Sequence, residues 1–74
     1  MAMTLLEIKS MSVAGNAMSD QHIFNALDIF IRDESNTIEE RAEAVNYIGT
    51  VMGVEKDNRP AKVIVDEYLF YTNC

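Results

Sequence analysis

The sequence has few of the residues that build disulfides and metal sites. It contains one cysteine, one histidine, one proline and no tryptophan among 74 residues. A single cysteine excludes an intramolecular disulfide, and one cysteine with one histidine disfavours a zinc site, which needs several such ligands. We therefore expect no metal, no cofactor and a reducing, cytoplasmic location.

Positive charge and long apolar runs are also scarce. Six lysines and arginines stand against twelve acidic residues, a net charge of −6. Nucleic-acid binders need clustered cations, so we expect no direct contact with nucleic acid. The apolar runs are far shorter than the roughly 18 residues of a membrane-spanning helix, and the first residues lack the basic region of a signal peptide. We expect no membrane association.

A catalytic inventory is missing as well. His22 has only Asn25 and Ala26 at the spacings where a helix would place a second metal ligand. Adjacent carboxylates such as Asp66 and Glu67 diverge by about 100° on a helix, so they form a solvated face more readily than an acid–base pair. The sequence predicts no catalytic residue, and we expect that the protein is not an enzyme.

Nearly half of the chain (49%) is apolar, and turn residues divide it into four segments with helical signals. Thr4 with Glu7 and Thr37 with Glu40 are capping-box pairs, and Ser19 is a good N-cap with Met18 before it as a hydrophobic staple. The predicted helices run from Thr4 to about Ala14, from Ser19 to about Arg32, from Thr37 to Gly53 and from Pro60 to Tyr71. A short strand is the alternative for the first segment and for Lys62 to Val65, which is rich in β-branched residues.

Apolar residues recur at helical spacing in these segments, which predicts one buried stripe on each helix. Gly49 falls inside the third helix, and we expect close approach of another backbone near Ala42 and Val45 to compensate for it. The predicted stripes are Leu5, Ile8 and Ser12 with Leu6 and Val13 beside them; Ile23, Leu27, Phe30 and Ile31 with Phe24 beside them; Ile38, Ala42, Val45, Ile48 and Met52 with Ala44 and Val51 at the border; and Ala61, Ile64, Val65, Tyr68 and Leu69.

The pattern predicts an all-α fold, a small antiparallel bundle of three to four short helices, because short connections favour antiparallel neighbours. We expect residues 1–74 to form one domain, with residues 1–17 as a loosely attached N-terminal arm. A chain this short buries a small core, and neither a disulfide nor a metal supports it. The bundle is therefore expected to be completed by dimerisation.

Negative charge is concentrated in the second and third segments. Seven acidic residues lie between Asp20 and Glu43, opposed only by Arg32 and Arg41. Helix capping and solubility account for such a cluster, and the functional alternative is a face that docks on a basic partner. The candidate acidic face is Asp33, Glu34, Glu39, Glu40 and Glu43.

Four large side chains follow one another at Tyr68-Leu69-Phe70-Tyr71. They cannot all face one core, because successive residues turn by about 100° on a helix. A core position with a frayed helix end is one interpretation, and a dimer or partner surface is the other. The candidate aromatic face is Phe24, Tyr68, Phe70 and Tyr71.

Three functions remain open at this point. The first is a small acidic regulator or inhibitor that binds a larger host protein without catalysis, as phage and mobile-element accessory proteins do. The second is a homodimeric structural or interaction module. The third is a DNA-mimic inhibitor of a nucleic-acid-binding protein, in which carboxylates occupy the positions of phosphates.

Overall fold

The protein is all-helical over the residues that its computed structural model describes, 4–13 and 20–73, with side chains at 4–10 and 21–73. No strand occurs in these residues, so the strand alternatives for the first and fourth segments are wrong. The four helices pack against one another, in chain order α1 (Leu5–Val13), α2 (Asp20–Arg32), α3 (Ile38–Val51) and α4 (Ala61–Thr72).

Side chains cap two of the predicted helix starts. At α1 the Glu7 amide donates to the Thr4 hydroxyl and the Thr4 amide donates to the Glu7 carboxylate, a complete capping box. At α3 the Glu40 amide donates to the Thr37 hydroxyl, which itself donates to the Glu40 carboxylate. The second pair therefore caps the helix without the reciprocal bond to the Thr37 amide. The predicted cap at Ser19 and staple at Met18 lie outside the described residues.

The turn between α2 and α3 is held by polar side chains. The Asp33 carboxylate accepts hydrogen bonds from the amide and the hydroxyl of Ser35, at 2.9 and 2.6 Å. The Asn36 amide group donates to the carbonyl of Phe30, which also accepts a hydrogen bond from the Asp33 amide at the end of α2. These bonds close the helical hairpin over four polar residues, as the sequence predicts.

The buried residues come from all four helices and form one core. The predicted stripe of α2 is buried throughout, and Phe24 packs half-buried against it. On α4 the predicted stripe also faces inward. The buried residues are Leu5, Ile8, Ile23, Leu27, Phe30, Ile31, Ala42, Ala44, Ile64 and Val65.

Helix α3 departs from the single stripe that its sequence predicts. Met52 is 67% exposed and so does not belong to the core, whereas Ala44, expected at the border, is completely buried. Ala42 and Ala44 diverge by about 200° around a helix, so α3 is covered on two sides. A helix buried on two sides carries apolar residues on two faces, and a single-stripe reading misplaces some of them.

The C-terminal end of α3 is a Schellman motif. The Val54 amide donates to the Gly49 carbonyl, the Gly53 amide donates to the Thr50 carbonyl, and Gly53 has φ +80°. The close backbone approach expected at Gly49 is not found. A Cβ built there would meet only the Cβ of Val54, at the ordinary contact distance of 3.7 Å.

Pro60 is the N-cap of α4, one position before the first helical residue. Proline suits this place because the missing N–H is one that the first helical turn would leave unpaired. The side chain of Asn46 fixes the preceding loop, since it donates to the Asp57 carbonyl and accepts from the Asp57 amide. Lys62 and Asp66, one turn apart on α4, form an ion pair at 2.7 Å.

Polar contacts also join the helices at the surface of the bundle. Lys9 of α1 pairs with Glu43 of α3 and lies over the ring of Tyr47, 5.5 Å from its centre. Asp28 and Arg32 of α2 contact Tyr68 and Thr72 of α4, respectively. The second contact lies four residues after the first on each helix, so α2 and α4 run in the same general direction there. No helix in the described part of the chain is long and apolar enough to span a membrane.

Candidate interaction surfaces

The structure separates the five residues of the predicted acidic face. Glu39 and Glu43 line a groove with Asn46 and the loop before α4, and Glu43 also pairs with Lys9. Glu34 lines a different groove, between α3 and α4. Of the five residues, Glu39 and Glu43 thus share one groove and Glu34 lines another.

Local structure engages several of these carboxylates. Glu40 binds the hydroxyl of Thr37, and Asp33 accepts both hydrogen bonds from Ser35. The hydrogen bonds from the Ser35 hydroxyl and amide lower the pKa of Asp33 below its usual value of 3.8. These contacts supply the capping and turn roles that the sequence offered as one interpretation of the cluster.

The predicted aromatic face is divided in a similar way. Tyr68 is half-buried, and its hydroxyl donates to the Asp28 carboxylate at 2.6 Å. Partial burial, followed by this hydrogen bond to a carboxylate, raises the pKa of Tyr68 above its usual value of 10.0. Phe24 likewise packs against the core. These two side chains hold the bundle together.

The other two members of that face are on the surface. Phe70 and Tyr71 are each 75% exposed. Their rings meet edge to face, with centroids 5.2 Å apart and an interplanar angle of 81°. This geometry is a favourable one for an aromatic pair, so the two rings form a small preformed apolar surface at the end of α4.

The exposed aromatics belong to a longer surface, which we call the outer face of α4: Val63, Glu67, Phe70 and Tyr71. These residues follow the spacing i, i+4, i+7 and i+8, so they share one side of the helix, opposite its buried side chains. Val63 is 42% exposed and is the second apolar site on this side of α4. It lies in the first turn of the helix, whereas the aromatic pair lies in the last turn.

The carboxylate at the centre of the outer face is held by an ion triad. Arg59 binds both oxygens of Glu67, at 2.8 and 2.9 Å, and also binds the Asp57 carboxylate. The hydrogen bond from the Arg59 side chain lowers the pKa of Glu67. Separate hydrogen bonds from the side chain and the backbone amide of Arg59 hold the pKa of Asp57 at about 2. The outer face thus carries a fixed, partly compensated negative charge between its two apolar sites.

A second surface, which we call the basic groove, lies where the end of α2 and the start of α3 meet α4. Its volume is about 780 Å³. It brings together Arg32, Arg41 and Lys62, half of the six basic residues in the chain. The remaining lining residues are Glu34, Ile38, Val65, Asp66, Leu69 and Asn73.

No group of three or more His, Cys, Asp and Glu side chains that could hold a metal ion occurs among the described residues. His22 is exposed on the first turns of α2. The concave surfaces described above are lined by charged, polar and core side chains.

No family model matches the chain, and no curated protein and no solved structure matches it either.

Two features of these surfaces are missing from the sequence-based predictions. Val63 was not assigned to any surface, although its spacing of seven residues from Phe70 places both on one side of a helix. The basic groove draws its cations from three helices, so no local spacing could reveal it. Only the packing of α4 against the α2–α3 hairpin brings them together.

Proposed function

We propose that the protein is a non-catalytic protein-binding module that docks on a larger partner through the outer face of α4. The observation that carries this proposal is the 75% exposure of Phe70 and Tyr71 on a helix whose inward side is already packed. Two aromatic rings that the core does not use are costly to leave in water, and aromatic residues are enriched at the centres of protein interfaces.

The charge of the chain favours a basic partner. The net charge is −6, and the outer face itself contains Glu67 within a triad of two carboxylates and one guanidinium. The complementary surface is an apolar cleft bordered by lysine or arginine, and opposite charge would speed the encounter. Such a module acts as a regulator or inhibitor by covering the surface that it binds.

A homodimer is the second candidate, and one specific observation favours it. Val51, Met52 and Val54 are 41%, 67% and 60% exposed around the end of α3, a second apolar patch. Pairing of two outer faces about a twofold axis is less favourable, because it would bring the two Glu67 triads together between copies that each carry −6. A dimer would therefore use the end of α3.

The test compares Phe70→Ala with Ile29→Ala, a matched change on α2 at a side chain that is also mostly exposed (68%). Neither change should alter the thermal unfolding midpoint much, since exposed substitutions usually cost less than about 0.5 kcal/mol. Immobilised wild type and Ile29→Ala should retain the same protein from a lysate of the source cells. Phe70→Ala should bind that protein at least about thirtyfold more weakly.

Equal binding by all three proteins would contradict docking through the outer face. Light scattering on the purified chain separates the second candidate from the first. A mass near 8.3 kDa at micromolar concentration is expected for the proposed module, whereas twice that mass, lost in Met52→Ser and kept in Phe70→Ala, would establish the dimer instead.

A further inference from the structure

We infer that the basic groove binds an acidic peptide segment of a partner protein, with a carboxylate against Arg41 and an apolar side chain on the groove floor. The groove is distinct from the outer face of α4, and it gathers three of the six basic side chains of an acidic protein. Its cations come from α2, α3 and α4. Arg32 and Lys62 are paired with Asp28 and Asp66, which leaves Arg41 as the cation of this groove that has no ion pair among the described residues.

Arg41 is the centre of this site. Its Nε donates to the Ile31 carbonyl at 2.6 Å, and the side chain is half-buried. Four of the six basic side chains, those of Lys9, Arg32, Arg59 and Lys62, form ion pairs. Arg41 forms no ion pair within the described residues, and its two terminal amino groups have no hydrogen-bond partner there. A half-buried guanidinium with two free amino groups is suited to bidentate binding of a carboxylate.

The orientation of Arg41 is restricted before any ligand arrives. Its Nε is held by the carbonyl of Ile31, a residue that is completely buried in the core. Because a guanidinium is planar, holding Nε also restricts where the terminal amino groups can lie. Preorganisation of this kind reduces the entropy lost on binding.

Arg32 is held at the edge of the groove by a second set of contacts. Its Nε donates to both oxygens of Asp28, at 3.0 and 3.1 Å, and one terminal nitrogen donates to the Thr72 hydroxyl at 2.8 Å. Lys62 lies on α4 with a side chain 79% exposed, paired with Asp66. Arg32 is thus a fixed cation and Lys62 is a mobile one that can turn toward an incoming anion.

The floor of the groove sets the second requirement on the ligand. Ile38, Val65 and Leu69 lie between the cations, and all three belong to the core or pack against it. A volume of about 780 Å³ is within the usual range for sites that hold a few side chains. An acidic peptide with interleaved apolar residues satisfies both the cations and the floor, whereas a free anion would leave the floor uncovered.

The probe is a blocked synthetic peptide of alternating glutamate and leucine, and its control has glutamine in place of every glutamate. Titration is followed by the amide signals and by the arginine Nε–Hε signals in a ¹H–¹⁵N spectrum at constant ionic strength. The glutamate peptide should shift the Nε–Hε signal of Arg41 and the amides of Ile38 and Leu69. The glutamine peptide should bind about tenfold more weakly or not at all.

Three variants with the same change of charge locate the binding. Arg41→Gln should weaken the glutamate peptide about tenfold, and Lys62→Gln about twofold to fivefold. Lys56→Gln removes a cation that lines a different groove and should leave the affinity unchanged. Lys62 makes only an exposed ion pair, so its variant tests the groove even if the loss of the Arg41 contact to Ile31 destabilises the fold.

Three results would overturn the inference. One is equal affinity for the glutamate and glutamine peptides. Another is an equal loss in Lys56→Gln and Arg41→Gln, which would indicate general attraction by positive charge. The third is a set of shifted signals that lies away from the groove.

Discussion

Gly49 and Gly53 lie near the same end of α3, yet they differ in backbone conformation. That conformation decides how a side chain at each position would change the stability of the fold. Gly49 is inside the helix, where a Cβ would meet only the Cβ of Val54 at 3.7 Å. Gly53 has no atom within 4 Å of such a Cβ, but its φ is +80°. Space is available at both positions, so backbone conformation separates them.

We expect Gly49→Ala to stabilise the protein by about 1 kcal/mol, because alanine is the better helix former and reduces the entropy of the unfolded chain. Gly53→Ala is the matched change, and it should destabilise by about 1 kcal/mol because alanine strains the left-handed conformation. Urea unfolding followed by circular dichroism measures both. A loss of stability in Gly49→Ala would show that the helix end needs the glycine for another reason.

Tyr68 and Tyr71 show at the residue scale how one turn of helix separates a structural role from an exposed one. Tyr68 reaches the Asp28 carboxylate on α2 and has a raised pKa, whereas Tyr71 is 75% exposed and stacks edge to face on Phe70. A stability contribution from Tyr68 is present below its ordinary pKa of 10.0 and is lost only as the pH rises through the higher value in the folded state.

At the scale of elements, the loop between α3 and α4 is fixed by two kinds of contact. Asn46 of α3 makes two hydrogen bonds to the backbone of Asp57. Arg59 then joins the Asp57 carboxylate to Glu67 of α4. The loop is therefore tied to both helices that it connects, and it carries the central carboxylate of the outer face.

This loop predicts an acid dependence of stability. The pKa of Asp57 is about 2 in the folded protein against a usual 3.8, and that of Glu67 is also lowered. A depressed pKa stabilises the folded state above the ordinary value and the contribution is lost as the pH falls toward 2. We expect the thermal unfolding midpoint of the wild type to fall between pH 4 and pH 2.

Arg59→Gln removes the largest cause of both shifts, the hydrogen bonds from the guanidinium, and is the test of this mechanism. Its midpoint should be lower than that of the wild type at pH 6, and the difference between the two proteins should shrink toward pH 2. Lys62→Gln is the control, because it removes an exposed ion pair from the same helix. A difference that stays constant over the whole range would show that the triad does not cause the dependence.

For the whole molecule, the open question is how firmly α1 belongs to the bundle. Leu5 and Ile8 are buried, and Lys9 reaches both Glu43 and the ring of Tyr47 on α3. The ion pair is exposed and contributes less than about 1 kcal/mol. Burial of the two apolar side chains is therefore the main source of the attachment.

We expect Ile8→Ala to destabilise the protein by about 2–4 kcal/mol, because Ile8 is completely buried and its loss leaves a cavity. Leu6→Ala is the matched control on the same helix, and its cost should be below about 0.5 kcal/mol because Leu6 is 75% exposed. Chemical denaturation of both variants measures the difference. Equal and small effects would mean that α1 is not part of the cooperative unit.

Local chemistry alone determined most of the secondary structure. The capping pair at Thr4 and Glu7, the hydroxyl cap at Thr37 and the apolar stripe of α2 are visible in the sequence, because each depends on residues within one or two turns of helix. The aromatic run near the end of the chain was also recognised as too large for one core. Which of these residues are buried and which are exposed depends on the side of α4 that packs against the other helices.

Tertiary packing decided the rest. Ala44 is buried because α3 has neighbours on two sides, a property that the periodicity of one helix cannot express, and Met52 is exposed beyond the last residue of that helix. The contacts of the acidic residues also depend on packing, since Glu43 pairs with Lys9 of α1, and Glu34 and Glu39 line two different grooves. The basic groove has no local signature, because Arg32, Arg41 and Lys62 meet only when three helices pack together. Sequence spacing reports contacts within a helix, whereas contacts between helices depend on how the helices are placed against one another.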